Sequence, residues 1–154
     1  MDTIASFLVN HDLLEKGIYL SRIDGDVVTY DLRFVKPNCP PYMENAALHT
    51  FEHLFATIAR NSEKGDNIIY FGPMGCRTGF YLLTRGLSHR EAIELIIATT
   101  AQIAKWNDAI PGAASSAECG NWLEHDLDGA KTLAKGWLPV VANWTQDMLE
   151  YKLK

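Results

Sequence analysis

Two histidines and a glutamate lie close together in AALHTFEHLFATIAR, residues 46–60. In a helix, His49 and His53 project from successive turns on one side, so both imidazoles can reach a single metal ion. Glu52 faces the same place and can accept a proton there. The spacing therefore predicts a metal site with an acid-base group beside it.

Two imidazoles do not complete such a site, because catalytic zinc and related ions usually take three protein ligands and keep one position open. Cys119, in SAECGNW, is the strongest candidate for the third ligand, since the glycine after it lets the backbone bend towards the helix. His125, in LEHDL, is the second candidate, although a structural or helix-end histidine is the favoured interpretation there.

The chain has three cysteines, and this odd number predicts thiols with chemical or metal roles rather than disulfides. Cys76 lies in GPMGCRTG, a glycine-flanked turn in which Arg77 is a neighbouring cation that favours the thiolate. This context predicts an accessible, reactive thiol. Cys39, in PNCPP, has no acid-base neighbour in the sequence and is predicted to be inert.

The histidine pair lies in a segment with a helical period, from about Glu44 to Asn61. The period places His49, Glu52 and His53 on one face and a set of large apolar side chains on the other. That apolar set consists of Leu48, Phe51, Leu54, Phe55 and Ile58. The candidate metal ligands are therefore expected to point away from the core.

Strand patterns occur in two pairs along the chain. IYLSRIDGDVVTYDLRF predicts a hairpin around Asp24 and Gly25, and NIIYFG and RTGFYLLTRG predict a second pair around the GPMGC turn. Ser88 and Glu91 form a capping-box signature that opens a helix through about Asp108.

The C-terminal part predicts a helix from about Asp126 that Pro139 interrupts, and then a short last helix in NWTQDMLEYK. Hairpins alternating with helices predict an α+β fold, with a single-domain antiparallel β-sheet packed against helices. The length of 154 residues and a hydrophobic content of 47% fit one domain over residues 1–154.

The charge pattern excludes several classes of partner. The net charge of −5 comes from 14 basic and 19 acidic residues, which are scattered and form no runs of like charge. The sequence therefore has no basic face that would attract nucleic acid or a membrane surface. The apolar runs are too short to span a bilayer, and the N-terminus lacks the pattern of a secretory leader. A cytoplasmic location is expected.

Seven segments resemble the S-ribosylhomocysteine lyase (LuxS) family in their order and approximate spacing. They are SFLVNH, YDLRFVKPN, LHTFEHLFA, GPMGCRTGFYL, IPGA, ECGN and HDLDGAKTLAKGWL, and they extend from Ser6 to Leu138. The resemblance implies a LuxS-like homodimer with active sites shared between subunits. It also implies one divalent metal ion per subunit, with Fe(II) expected and zinc or cobalt able to substitute.

The resemblance also implies roles for individual residues. The family's metal ligands match His49, His53 and Cys119, and its acid-base pair matches Glu52 and Cys76. Its substrate-contacting residues match Ser6, His11, Arg33 and Arg60. Two positions depart from the common family pattern, since Tyr70 replaces an aspartate and Thr29 replaces a lysine.

The implied reaction converts S-ribosylhomocysteine into homocysteine and 4,5-dihydroxy-2,3-pentanedione, the precursor of a quorum-sensing autoinducer, and so returns homocysteine to the activated methyl cycle. Two other interpretations compete with it. The order H-x-x-E-H is that of the inverzincin metalloproteases, which suggests a small metallohydrolase in which Glu52 activates water. A non-catalytic metal-binding protein would use His49, His53 and Cys119 only to stabilise the fold.

Overall fold

A computed structural model describes residues 2–152 of the chain, with the side chains of residues 5 and 6 left aside. Its helices and strands, in chain order, are α1 (Ala5–Leu8), β1 (Gly17–Asp24), β2 (Val27–Arg33), α2 (Asn45–Arg60), β3 (Ile68–Pro73), β4 (Gly79–Arg85), α3 (His89–Ala104) and α4 (Leu127–Val141). Short 3₁₀ turns occupy Gly65–Asn67 and Gln146–Leu149.

The four strands form one antiparallel sheet in the order β1-β2-β4-β3, which confirms the predicted α+β class. Both predicted hairpins are present, and Gly25 adopts the left-handed φ of +62° that the β1–β2 turn requires. In the register of β2 and β4, Arg33 pairs with Gly79. The β3–β4 turn that carries Cys76 therefore lies at the end of the sheet where Arg33 is found.

The three long helices cover one face of the sheet and enclose a single hydrophobic core. All five apolar residues predicted for α2 are buried, and each fully buried side chain of this size contributes about 1.5–3 kcal/mol. On β2, Tyr30 and Leu32 are fully buried in this core, so the alternation of the strand directs Asp31 and Arg33 to the opposite face.

Two predicted helix boundaries were wrong. Helix α3 ends at Ala104 rather than near Asp108, because Trp106 donates its indole N–H to the carbonyl of Asp108 at 3.0 Å and folds that segment into a turn. Helix α4 continues past Pro139 to Val141. Only two helical residues follow the proline, so the hydrogen bond that it removes lies in the last turn.

No helix within residues 2–152 is long and apolar enough to cross a membrane.

The predicted last helix is reduced to the 3₁₀ turn Gln146–Leu149.

The capping box at the start of α3 is expected to affect the stability of the fold in acid. Ser88 and Glu91 exchange the two expected hydrogen bonds, and Lys64 Nζ lies 2.7 Å from Glu91 Oε1. These contacts, the Lys64 hydrogen bond foremost, lower the pKa of Glu91 to about 2. A lowered carboxyl pKa gives stability that is present above the ordinary value of 4.5 and is lost as the pH falls towards about 2.

Glu91→Gln should therefore flatten the loss of stability between these pH values, as measured by urea unfolding midpoints. Glu94→Gln, about one turn further along α3 and also facing outwards, serves as the control and should keep the wild-type acid slope. An unchanged slope in Glu91→Gln would contradict the assignment.

Candidate metal centre and adjacent thiol group

His49 and His53 lie on α2 with their ring centroids 4.7 Å apart, and the loop before α4 brings Cys119 to them. Cys119 Sγ lies 3.4 Å from His49 Nε2 and 3.7 Å from His53 Nε2. Metal–ligand bonds of about 2.0–2.3 Å in a tetrahedral arrangement place ligand atoms roughly 3.5 Å apart. The three side chains thus have the spacing that one tetrahedral metal ion requires.

Hydrogen bonds fix the orientation of both imidazoles. Nδ1 of His49 donates to the carbonyl of Glu124, and Nδ1 of His53 donates to the carbonyl of Pro111, each at 2.8 Å. A carbonyl oxygen can only accept, so each Nδ1 carries the proton and each Nε2 offers a lone pair towards Cys119. The protein therefore holds both rings in the tautomer that a metal ligand needs.

His125 lies in the same group as the three predicted ligands, and it also stands at a helix end, one residue before the N-cap of α4, as the sequence favoured. Thr50 Oγ1 donates to the carbonyl of Ala46, so it must accept from the N–H of Asp126 and from His125 Nδ1 at 3.0 Å. His125 Nε2 consequently bears the lone pair. It is buried and has no hydrogen-bond partner among the described residues.

The environment of His125 fits a cation site. Its ring stacks on His49 with centroids 4.1 Å apart, and the candidate ligand atoms of all four residues lie within 4.8 Å of one another. Burial lowers the pKa of His125, and the charges of His49 and His53 lower it further. Three imidazoles with Nδ1 occupied and one thiol form a set of ligands that a divalent ion such as Zn²⁺ or Fe²⁺ accepts. The group of His49, His53, Cys119 and His125 is called the metal cluster below.

Gly112 supports the orientation of His53 and gives a prediction about metal affinity. It adopts a φ of +70°, and a Cβ added there would lie 3.2 Å from His53 Nδ1. Gly112→Ala should strain the loop and displace the His53 ring from the carbonyl of Pro111. Because such supporting contacts are typically worth about 10–100-fold in metal affinity, a loss of that size is expected in competition with a chelator.

Gly25→Ala is the matched control for this variant. Gly25 has a similar φ of +62°, and a Cβ there would meet nothing within 4 Å. Both variants should lose stability through the strained φ, but only Gly112→Ala should lose metal affinity. Equal affinities in the two variants would show that Gly112 does not support the metal cluster.

Glu52 lies beside the metal cluster. It is half-buried and shares an open cavity of about 310 Å³ with His49 on α2, Pro73 at the end of β3, and residues of the loop before α4. The cavity provides space for a small polar molecule next to Glu52 and His49. Pro73 belongs to the GPMGC segment, so the turn that carries Cys76 begins at the edge of this cavity.

Cys76 is exposed, and its Sγ lies 3.1 Å from Thr78 Oγ1. Thr78 is buried and accepts a hydrogen bond of 2.6 Å from Arg33 Nη1. The sequence suggested Arg77 as the cation beside the thiol, but Arg77 donates to the carbonyl of Met43. The cation connected to Cys76 through Thr78 is Arg33.

Arg33 is held by a buried ion pair. Asp31 Oδ1 and Oδ2 accept from Arg33 at 3.1 and 2.5 Å, and Tyr151 donates its hydroxyl to Asp31 at 2.8 Å. Burial raises the pKa of Asp31, while Arg33 and Tyr151 oppose that rise. The charge of Asp31 raises the pKa of Arg33 against the effect of burial. His11 lines a small cavity beside this group.

Arg60 and Ser6 are the other two residues predicted to contact the substrate. Arg60 donates to the carbonyls of Ile68 and Ile69, so it joins the end of α2 to β3. It lies seven residues beyond His53, about 10 Å further along the helix. Ser6 lies in α1, and its side chain is outside the described part of the chain.

A comparison with protein-family models matches residues 4–148 to the family described as S-ribosylhomocysteinase (LuxS). The chain belongs to the LuxS family. The S-ribosylhomocysteine lyases of Borreliella afzelii (strain PKo), Clostridium acetobutylicum and Phocaeicola vulgatus are 45%, 43% and 44% identical to it. The alignments cover 98%, 98% and 100% of this chain and 99% of each relative.

The LuxS match contains the metal cluster and the Cys76 turn, which confirms the resemblance drawn from the sequence. Tyr151, which donates to Asp31, lies beyond the matched segment. The sequence interpretation missed the roles of Thr50 and Thr78. The alternation of Asp31 and Arg33 on one strand was a usable signal, because residues two apart on a strand share a face.

Proposed function

We propose that this LuxS-family chain is a carbon–sulfur lyase that cleaves S-ribosylhomocysteine to homocysteine and 4,5-dihydroxy-2,3-pentanedione. The observation that carries the proposal is the placement of His49, His53 and Cys119 at tetrahedral distances beside Glu52. Full-length relatives named S-ribosylhomocysteine lyase support the choice of reaction.

One divalent ion per subunit is proposed, with His49, His53 and Cys119 as its ligands. Fe(II) is the expected metal, and zinc or cobalt can substitute for it. The fixed tautomers of both histidines support this ligand set. When bound, the ion supplies Lewis-acid polarisation of the carbonyl and hydroxyl oxygens of the substrate.

The residues of the chain move the protons. The carbon–sulfur bond breaks by β-elimination only after a carbonyl acidifies the proton beta to sulfur, so the carbonyl of the opened ribose must first migrate. Cys76, as thiolate, takes a proton from one carbon and returns it to the next. Glu52 transfers protons on the oxygens and assists the elimination. The steps are isomerisations and an elimination, so they require no redox cofactor.

The substrate contacts proposed for Ser6, His11, Arg33 and Arg60 rest on the family resemblance. Arg33 and His11 form one group on the sheet face away from α2, whereas the metal cluster projects from α2 on the side away from the core. The two groups are therefore carried by different elements, the first by the sheet and the N-terminal segment and the second by α2 and the loop before α4. A homodimer in which the His11–Arg33 group of one subunit faces the metal cluster of the other would complete two shared sites.

A cytoplasmic location and a role in supplying the autoinducer precursor for quorum sensing are further proposals from the same resemblance. The second candidate function, a non-catalytic metal-binding protein, is favoured by one observation. His125 Nε2 is a fourth available donor, and four protein ligands are typical of a closed structural site.

The decisive experiment loads the purified protein anaerobically with Fe(II), adds S-ribosylhomocysteine and titrates free thiol as homocysteine forms. Wild-type protein should release thiol in proportion to substrate consumed. Glu52→Gln is the matched control, since the amide is nearly isosteric but cannot accept a proton, and it should keep the metal and lose turnover. Absence of thiol release from the metal-loaded wild type would overturn the lyase proposal and leave the structural metal protein.

A further inference from the structure

The hydroxyl group of Thr78 lies between a cation and the Cys76 thiol. Arg33 can only donate, so Thr78 Oγ1 is the acceptor of the 2.6 Å bond from Arg33 Nη1. Thr78 is only 3% exposed, so its single hydroxyl proton needs a partner inside the protein. The Sγ atom of Cys76, at 3.1 Å, is the partner that the described residues provide.

We propose that Thr78 is a positioning residue that donates its hydroxyl proton to Cys76 Sγ and thereby favours the thiolate. The catalytic importance of this contact rests on the proposed function, in which Cys76 moves the carbon-bound protons. The donor direction follows from the hydrogen-bond count at Thr78. A threonine that accepts from a guanidinium directs its own proton away from it.

The surroundings of Thr78 keep the donor in this orientation. Its carbonyl accepts from the N–H groups of Phe34 and Val35, each at 2.9 Å, which fixes the backbone against the two residues that follow β2. Arg33 is fixed in turn by two hydrogen bonds to Asp31. The hydroxyl hydrogen of Thr78 therefore cannot point towards the Arg33 guanidinium without electrostatic repulsion.

Charge at Arg33 strengthens the effect on the thiol. A hydroxyl oxygen that accepts a hydrogen bond from a cation is polarised, so the hydroxyl donates its own proton more strongly to an anion. Burial lowers the pKa of Arg33, whereas the charge of Asp31 and, to a smaller extent, that of a Cys76 thiolate raise it. Tyr151 completes the series of contacts by donating to Asp31 and stacking on Tyr19 with centroids 5.1 Å apart.

The test measures the alkylation rate of Cys76 with iodoacetamide as a function of pH in zinc-loaded protein, with peptide mass spectrometry to separate the three thiols. Thr78→Val removes the hydroxyl with little change in shape, and Thr78→Ser keeps it. In Thr78→Val, the pH of half-maximal alkylation should rise by about one to two units, the size expected for a hydrogen bond to a charged group. Thr78→Ser should stay close to wild type.

Cys39 is an internal control within each sample, because it is exposed and its profile should be the same in all variants. Thermal unfolding establishes that each variant is folded, and Thr78→Ala replaces the valine variant if that one is not. Identical half-maximal pH values for wild type and the hydroxyl-free variants would overturn the proposal. An equal rise in Thr78→Ser and Thr78→Val would also overturn it, since the hydroxyl would then not be the cause.

This readout does not depend on turnover. Alkylation requires only that the thiolate displaces iodide, so it can be measured even if S-ribosylhomocysteine is not a substrate. A shifted profile without thiol release from substrate would sustain the role of Thr78 and overturn the lyase function. Thiol release from substrate together with an unshifted alkylation profile would support the lyase function and overturn the role of Thr78.

Discussion

Cys119→Ala protein should be purified without metal, whereas Cys76→Ala protein should keep a full complement of metal and lose turnover. The two thiols differ because they lie in separate hydrogen-bonded groups. Cys119 Sγ contacts the Nε2 atoms of His49 and His53 at 3.4 and 3.7 Å. Cys76 Sγ instead contacts Thr78 Oγ1, which leads to Arg33.

The sizes of the two effects follow from their causes. Removing Cys119 deletes one of the three proposed ligands and the only thiol among the four candidate ligands, so the proposed set is reduced to His49 and His53. Removing Cys76 deletes a general base, an effect typically worth about a hundred- to ten-thousandfold in rate. Metal content by elemental analysis and thiol release from S-ribosylhomocysteine measure the two losses separately.

Cys39→Ser provides the control for both measurements, because Cys39 is an exposed thiol outside both groups. It should keep metal and activity. Equal metal loss in Cys119→Ala and Cys76→Ala would contradict the separate roles. A Cys119→Ala protein that retains metal would indicate that His125 replaces the missing ligand.

The sequence was sufficient for those parts of the fold that depend on local patterns. The apolar face of α2, the hairpin at Gly25 and the capping box at Ser88 each follow from residues within a few positions of one another. The helix ends were harder to predict, because the extent of α4 beyond Pro139 is set by packing rather than by the proline alone.

The candidate site was predictable to the same degree. His49 and His53 were found through their spacing on one helix, and Cys119 through the glycine that follows it. The tautomers of the histidines depend on the carbonyls of Glu124 and Pro111, which are 75 and 58 residues away along the chain. No local period in the sequence reports such contacts.

The contacts around Cys76 show the same limit. Thr78 and Arg33 are 45 residues apart, and the hydroxyl of Tyr151 reaches Asp31 across 120 residues. The sequence offered Arg77 as the nearest cation, because adjacency is all that a sequence shows. The register of β2 against β4 is what brings Arg33 to the thiol group instead.

Mixing two inactive variants should restore activity if active sites are shared between subunits. His11 lies with Arg33 on the sheet face away from α2, while Cys119 belongs to the metal cluster on the outer side of α2. In the proposed homodimer, each site would take His11 from one chain and Cys119 from the other. His11→Ala and Cys119→Ala chains are each expected to be inactive alone.

Unfolded together at equal concentration and refolded with metal, these chains pair at random. Half of the dimers are then heterodimers, in which one site collects both lesions and the other is intact, so about a quarter of wild-type activity should return. The matched control mixes His53→Ala with Cys119→Ala chains. Each lesion then lies in the metal-ligand group of its own chain, so every site carries at least one lesion and no activity should return. The same absence of activity in the His11→Ala mixture, or a monomer by light scattering, would contradict shared sites, because each chain would then have to bring His11 to its own metal cluster.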